Sequence, residues 1–219
     1  MGNKVIRSLS LLVFIVGVSE TARAAEIQRA TFQGSQVVAG FFGSASITCA
    51  DGVTTGFVSA FGSLSGAEQI FTSTGAPPFM SNGILVQVDS YSNSCTGQIF
   101  GGMSGGIPNG LTPPDKHLTS AAMAGSTLVQ DFFSGEQLPI SIDVTVIGSG
   151  QTSQSKAHSK TKIKGSTGGP IVVSSDRSAN GNRAGTPEGT IIIDGVNIAA
   201  EFSFALLITN SNASQTIIK

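Results

Sequence analysis

Apolar and polar residues alternate along much of this chain, which is the pattern of half-buried β-strands. In residues 84–91, Ile84, Val86 and Val88 fall on one face and polar side chains on the other. Residues 138–147 repeat the pattern, with inward positions at Ile140, Ile142, Val144 and Val146. Because a period of two residues places successive side chains on opposite faces of a strand, the chain is predicted to be all-β.

Turn residues separate these strand-like runs. Asp51-Gly52 lies between residues 45–50 and 53–61, and Asp194-Gly195 lies between residues 190–193 and 196–199. Asp-Gly tolerates the positive φ of a type I′ turn, so both sites predict hairpins. Residues 95–100 are expected to fold back on the strand at 84–91, and residues 201–209 form a last strand. This succession predicts an antiparallel β-sandwich or jelly-roll-like fold in a single domain.

Four segments are harder to assign. Residues 119–130, rich in alanine, are the one candidate helix, with an extended run as the alternative. Residues 171–174 indicate a short buried strand, while residues 101–116 and 176–189 are rich in glycine, proline or asparagine and predict long loops. Phenylalanines in strand-like runs are expected in the core: Phe41, Phe42, Phe57, Phe61, Phe132, Phe133, Phe202 and Phe204.

The first residues have the layout of a secretory signal peptide. Lys4 and Arg7 precede an apolar run at residues 8–18, which is too short to span a membrane, and Ala22-Arg23-Ala24 offers a cleavage site. The expected organisation is a signal peptide at 1–24 and a secreted or periplasmic all-β domain at 25–219. No transmembrane segment is expected in the mature chain, because it contains no second long apolar run.

Two cysteines, Cys49 and Cys95, are present. In an oxidising compartment an even pair predicts a disulfide. In the chain-entropy model, closing the loop between them stabilises the fold by roughly 3–4 kcal/mol.

Charge is sparse and unevenly placed. Charged residues are 11% of the chain, and residues 25–219 hold nine basic and twelve acidic residues, a net charge of about −3. This balance argues against a protein that binds polyanions over its whole surface. With no Trp and one Tyr, the chain also lacks the stacking side chains of nucleic-acid readers, so no nucleic-acid partner is expected.

One local pattern concentrates positive charge. Lys156, His158, Lys160, Lys162 and Lys164 occupy every second position, so a strand would present them on one face. Ser149-Gly150 is predicted to turn this strand back onto residues 138–147, which sets Asp143 opposite Lys156 and Ser141 opposite His158. Such a row of cations fits an anionic polymer or an acidic partner. The alternative is that lysines on an edge strand prevent other sheets from pairing with it.

No catalytic or metal-binding constellation is visible. Gly102-Met103-Ser104-Gly105-Gly106 fits the Gly-x-Ser-x-Gly motif, but Ile107-Pro108 after it is a poor start for the helix this motif needs. The two histidines have no metal-ligand spacing, and no cofactor is expected.

Three functions follow in order of preference. The first is an exported structural or adhesive protein of a surface assembly, self-associating and without catalytic activity. The second is an extracellular module that binds an anionic polymer or acidic partner through residues 156–164. The third is a carbohydrate-active enzyme whose carboxylate pair is assembled from distant strands.

Overall fold

The computed structural model describes residues 25–164 and 169–218, and its secondary structure there is entirely β. The expected signal peptide at 1–24 lies outside these residues. Twelve strands form one antiparallel sheet, which confirms the predicted all-β antiparallel fold. The strands are β1 Glu26–Thr48, β2 Thr55–Ser73, β3 Ala76–Asn93, β4 Gln98–Phe100, β5 Met103–Pro108, β6 Leu111–Thr112, β7 Ser120–Asp131, β8 Gln137–Gly148, β9 Ser153–Lys164, β10 Ile171–Ile193, β11 Val196–Asn197 and β12 Glu201–Ile218. Within the described ranges, no helix is long and apolar enough to cross a membrane.

The sheet folds over so that it encloses its own apolar face, as a sandwich does. Its pairing runs β10-β12-β1-β2-β3-β5-β7, and β8 pairs with both β7 and β10, which joins the two ends. A single core fills this closed part, and its fully buried members include Val37, Leu64, Val86, Met123, Val144, Ile191 and Leu207. Ile84, Val86 and Val88, and the inward positions of residues 138–147, are buried as predicted.

Five of these strands are longer than the closed part needs. β1, β2, β3, β10 and β12 continue past the core and, together with β9, form a second region that we call the open sheet. The open sheet comprises residues 26–36, 67–73, 76–82, 153–164, 171–182 and 208–218. Among these residues Gly181 alone is buried, so both faces of the open sheet meet solvent.

The predicted hairpin between residues 138–147 and the basic strand is wrong. β8 pairs with β7 at one edge and with the C-terminal half of β10 at the other. It is therefore an inner strand of the sheet, and neither edge is left for β9. β9 instead pairs with the N-terminal half of β10, at the same edge of β10 that β8 occupies in the C-terminal half. The observed partners on β10 are Thr190 for Asp143, Ile192 for Ser141, Ala179 for Lys156 and Arg177 for His158.

Four other sequence assignments need correction. The candidate helix at 119–130 is wrong and its alternative, an extended run, is confirmed: the segment is strand β7, whose Ala121, Met123 and Val129 are buried against the core. The loop expected at 176–189 and the short strand expected at 171–174 are one continuous strand, β10. The loop expected at 101–116 contains β5 and β6.

The phenylalanine expectation is largely wrong. Phe41 is buried and Phe202 half-buried, but the other six of the set are each at least 48% exposed. Neighbours such as Phe41 and Phe42 point to opposite faces of a strand, so one of each pair faces outward.

Both Asp-Gly hairpins are confirmed, with different turns. Ile193 pairs with Val196 around Asp194 and Gly195, whose φ angles of 51° and 78° are those of a two-residue type I′ turn. The first hairpin has a longer connection, residues 49–54, in which the Asp51 carboxylate accepts hydrogen bonds from the following backbone. Cys49 in this connection forms the predicted disulfide with Cys95.

Candidate anion-binding face

The basic strand is β9, and it lies at the edge of the open sheet. It pairs with β10, and each of its twelve residues is exposed. His158 Nε2 lies 3.1 Å from Ser175 Oγ on one face, and Ser159 Oγ donates to Asp176 Oδ2 at 3.4 Å on the other. The register thus places Lys156, His158, Lys160, Lys162 and Lys164 on the face of Ser175.

Two arginines that the sequence did not single out share this face. Arg177 is the register partner of His158. Lys160 on β9 pairs with Ser175 on β10, which pairs with Gln215 on β12, which pairs with Arg29 on β1. Arg29 therefore lies in the same row across the sheet as Lys160. At a strand spacing of about 4.8 Å, the row spans roughly 14 Å. We call the five groups of β9 with Arg29 and Arg177 the basic face.

Carboxylates in the open sheet are segregated from most of these cations. The open sheet has three of them, Glu26, Glu68 and Asp176. By register, Glu26 and Asp176 project from the opposite face. Glu68 shares the face of the cations but lies on β2, where its Oε2 accepts a hydrogen bond from the Asn82 side chain at 3.1 Å. The two faces of one thin sheet therefore differ in charge.

A cleft of about 600 Å³ opens where the basic face meets the closed part. Its floor is made of small residues on β10, Ala179 and Gly181, and Lys156 stands at its edge. Its roof is the connection between β6 and β7, which contributes Pro113, Pro114, Lys116 and His117. The walls include Gln33, Ser35, Glu68, Ile70 and Gln154.

The roof is held in place by local hydrogen bonds. The Asp115 carboxylate accepts the backbone N–H of Thr119 at 2.9 Å and that of His117 at 3.2 Å. These hydrogen bonds, chiefly the one from Thr119, lower the pKa of Asp115 below its ordinary value of 3.8. Leu118 is fully buried, and its carbonyl accepts a hydrogen bond from Arg183 at 3.4 Å. The roof is therefore fixed to the core.

The opposite face of the open sheet carries an aromatic row. Phe32, Phe71 and Phe79 are register partners on β1, β2 and β3. Phe71 is 42% and Phe79 59% exposed, whereas Phe32 is half-buried. Aromatic side chains left this open are typical of surfaces that contact another molecule.

Other chemistry finds little support in the described part of the chain. No three His, Cys, Asp or Glu side chains in residues 25–164 and 169–218 come together to hold a metal ion. Ser104 of the Gly-x-Ser-x-Gly match lies in β5, paired with Gln87 of β3, and no helix follows it. Comparison with known proteins found no matching family model, no similar curated protein and no similar solved structure.

Proposed function

We propose that this protein binds an anionic polymer outside the cytoplasm, through the basic face of its open sheet. The observation that carries the proposal is the collection of Arg29, Arg177 and the five groups of β9 on one face of a sheet that the core does not need. The disulfide supports an oxidising compartment. No cofactor is required for this function.

The spacing of the charges suits an extended ligand. Neighbouring basic groups on β9 are about 6.8 Å apart, and the row of five extends roughly 27 Å. This spacing is less than the Debye length of about 8 Å at physiological salt, so their attraction for an anion adds up. A small anion would contact one or two groups, whereas a polymer contacts the whole row.

Edge protection accounts for only part of this arrangement. Lysines on β9 do hinder another strand from pairing with that edge. Arg177 lies one strand inward from β9, however, and Arg29 lies three strands away from it, so neither hinders pairing at the edge formed by β9. Anion binding by the whole basic face accounts for the position of both arginines on it.

The test is a charge reversal with a matched control on the same strand. We expect Lys160→Glu/Lys162→Glu to weaken binding to a sulfated or carboxylated polysaccharide about tenfold or more at low salt. Ser159→Glu/Thr161→Glu adds two carboxylates to the opposite face and is expected to change binding much less. Affinity of the natural chain should fall steeply as salt rises, because exposed charges are screened. Equal effects of the two double variants would contradict the proposal.

Self-assembly is a second candidate, favoured by the row of Phe32, Phe71 and Phe79. An exported structural or adhesive protein could use this apolar face to contact a second copy. Light scattering of residues 25–219 would then show association that Phe71→Ser/Phe79→Ser abolishes and that high salt does not. A monomer at all concentrations would rule this candidate out.

A carbohydrate-active enzyme has no comparable support. The lining of the cleft includes one carboxylate, Glu68. Glycosidases commonly use two carboxylates on either side of the scissile bond.

A further inference from the structure

We infer that the cleft binds a carboxylated sugar unit, which makes the polymer an acidic polysaccharide; this inference rests on the proposed function. The cleft lies at one end of the basic face and shares Lys156 with it. A chain seated there can leave the cleft past Lys156 and follow β9 towards Lys164.

The size of the cleft fits a small ligand. A volume of about 600 Å³ lies within the usual range of roughly 300–1,000 Å³ for small-molecule sites. The methyl group of Ala179 and the absence of a side chain at Gly181 keep the floor open. A Cβ atom added to Gly181 would lie 3.1 Å from Thr209 Oγ1, so this position has little spare room.

The walls offer hydrogen-bonding groups suited to hydroxyls. The side-chain amides of Gln33 and Gln154 each donate hydrogen bonds through the NH₂ group and accept them through the carbonyl oxygen, and Ser35 carries a hydroxyl. Ser35 Oγ is buried and has no hydrogen-bond partner within the described residues. A buried hydroxyl without a partner is unusual. The groups that can meet a ligand hydroxyl in the cleft are the side-chain amides of Gln33 and Gln154.

Positive charge enters the cleft from two directions. Lys116 comes from the roof, and Lys156 comes from the edge strand. A carboxylate between them would be attracted by groups on both sides, which fixes its position better than a single cation does.

The remaining lining distinguishes a sugar from a nucleotide. Pro113, Pro114 and Ile70 offer an apolar patch for the C–H face of a sugar ring. Among the described lining residues there is no Phe, Tyr or Trp to serve as a platform for base stacking, on which single-stranded nucleic-acid binders depend.

The experiment uses short probes that fill the cleft without needing the whole basic face. Binding of an oligogalacturonate tetramer, an uncharged oligosaccharide of equal length and a short polyphosphate is measured by calorimetry. We expect the oligogalacturonate to bind and the other two to bind at least about tenfold more weakly.

A pair of matched variants locates the site. Ala179→Phe places a large side chain on the cleft floor and is expected to weaken oligogalacturonate binding about tenfold or more. Ala157→Phe makes the same substitution on the opposite face, next to it in the sheet, and should leave binding within about twofold. Lys116→Gln provides a second test that leaves the floor intact, and it should weaken the oligogalacturonate more than the uncharged sugar.

Each contrary result has a distinct meaning. If the polymer binds in a Lys160- and Lys162-dependent way but the tetramer does not bind, the cleft inference is wrong and the proposed function stands. If polyphosphate binds as well as oligogalacturonate and is equally sensitive to Ala179→Phe, the sugar assignment is wrong. If neither polymer nor tetramer binds, both proposals fail.

Discussion

The closed part and the open sheet are built largely from the same strands, yet they differ in what their side chains do. On β1, Val37 is buried in the core, whereas Gln33 and Ser35, on the same face, line the cleft. On β12, Leu207 is buried and Thr209 lines the cleft. One face of a continuous strand thus changes from core to cleft lining within two residues.

Under the proposed function, the residues that stabilise the fold and the residues that bind the polymer lie in different regions. The closed part holds the apolar core, and burial of apolar area is the main stabilising term in folding. Cations at intervals of about 7 Å would be costly to bury, so they belong where both faces meet solvent. The open sheet is ordered because most of its strands are continuous with strands that the core fixes in place.

A large effect is expected at the disulfide at one end of the closed part. Cys49→Ser/Cys95→Ser should lower the free energy of unfolding by roughly 3–4 kcal/mol, because the unfolded chain regains the freedom of a long loop. Chemical denaturation measures the change. The folded fraction should still bind the polymer, and a loss of binding in folded protein would contradict the separation of the two regions.

A pair of isoleucines tests the comparison directly. Ile140→Ala in β8 should cost about 2–5 kcal/mol, because Ile140 is 1% exposed and its removal leaves a cavity. Ile163→Ala in β9 should change stability by less than about 0.5 kcal/mol, since Ile163 is 62% exposed. Similar costs at the two sites would mean that the open sheet is covered in solution.

The smallest effect is a pH dependence of the cleft roof. The hydrogen bonds from Thr119 and His117 lower the pKa of Asp115, so its ionised form favours the folded roof. This contribution is complete above the ordinary pKa of 3.8 and is lost as pH falls through the lower folded value. Exchange protection of the Thr119 amide should therefore be constant between about pH 7 and pH 5 and decrease only below about pH 4. Asp115→Asn should remove this acid transition, and a transition near neutral pH would contradict the assignment.

Local sequence patterns predict where strands occur better than they predict which strands pair with each other. Proximity along the chain predicts that the basic strand pairs with residues 138–147, but both edges of β8 are occupied, one by β7 and the other by β10. The glycine, asparagine and Pro187 of residues 176–189 predict a loop, although pairing with β8, β9 and β12 keeps these residues in one long strand. For the same reason Arg177 was missed, because its face is defined only when it is part of a strand.

The sequence by itself determined the all-β class, the disulfide and the common face of the five basic groups on β9. Each of these depends on short-range chemistry: the two-residue period of an extended backbone, or the pairing of two thiols. Only the tertiary structure decided that Arg29 and Arg177 join that face and that residues 113–117 cover a cleft at its end. These placements depend on which distant strands pair so that the whole chain buries the most apolar surface, and a local pattern carries no information about that total.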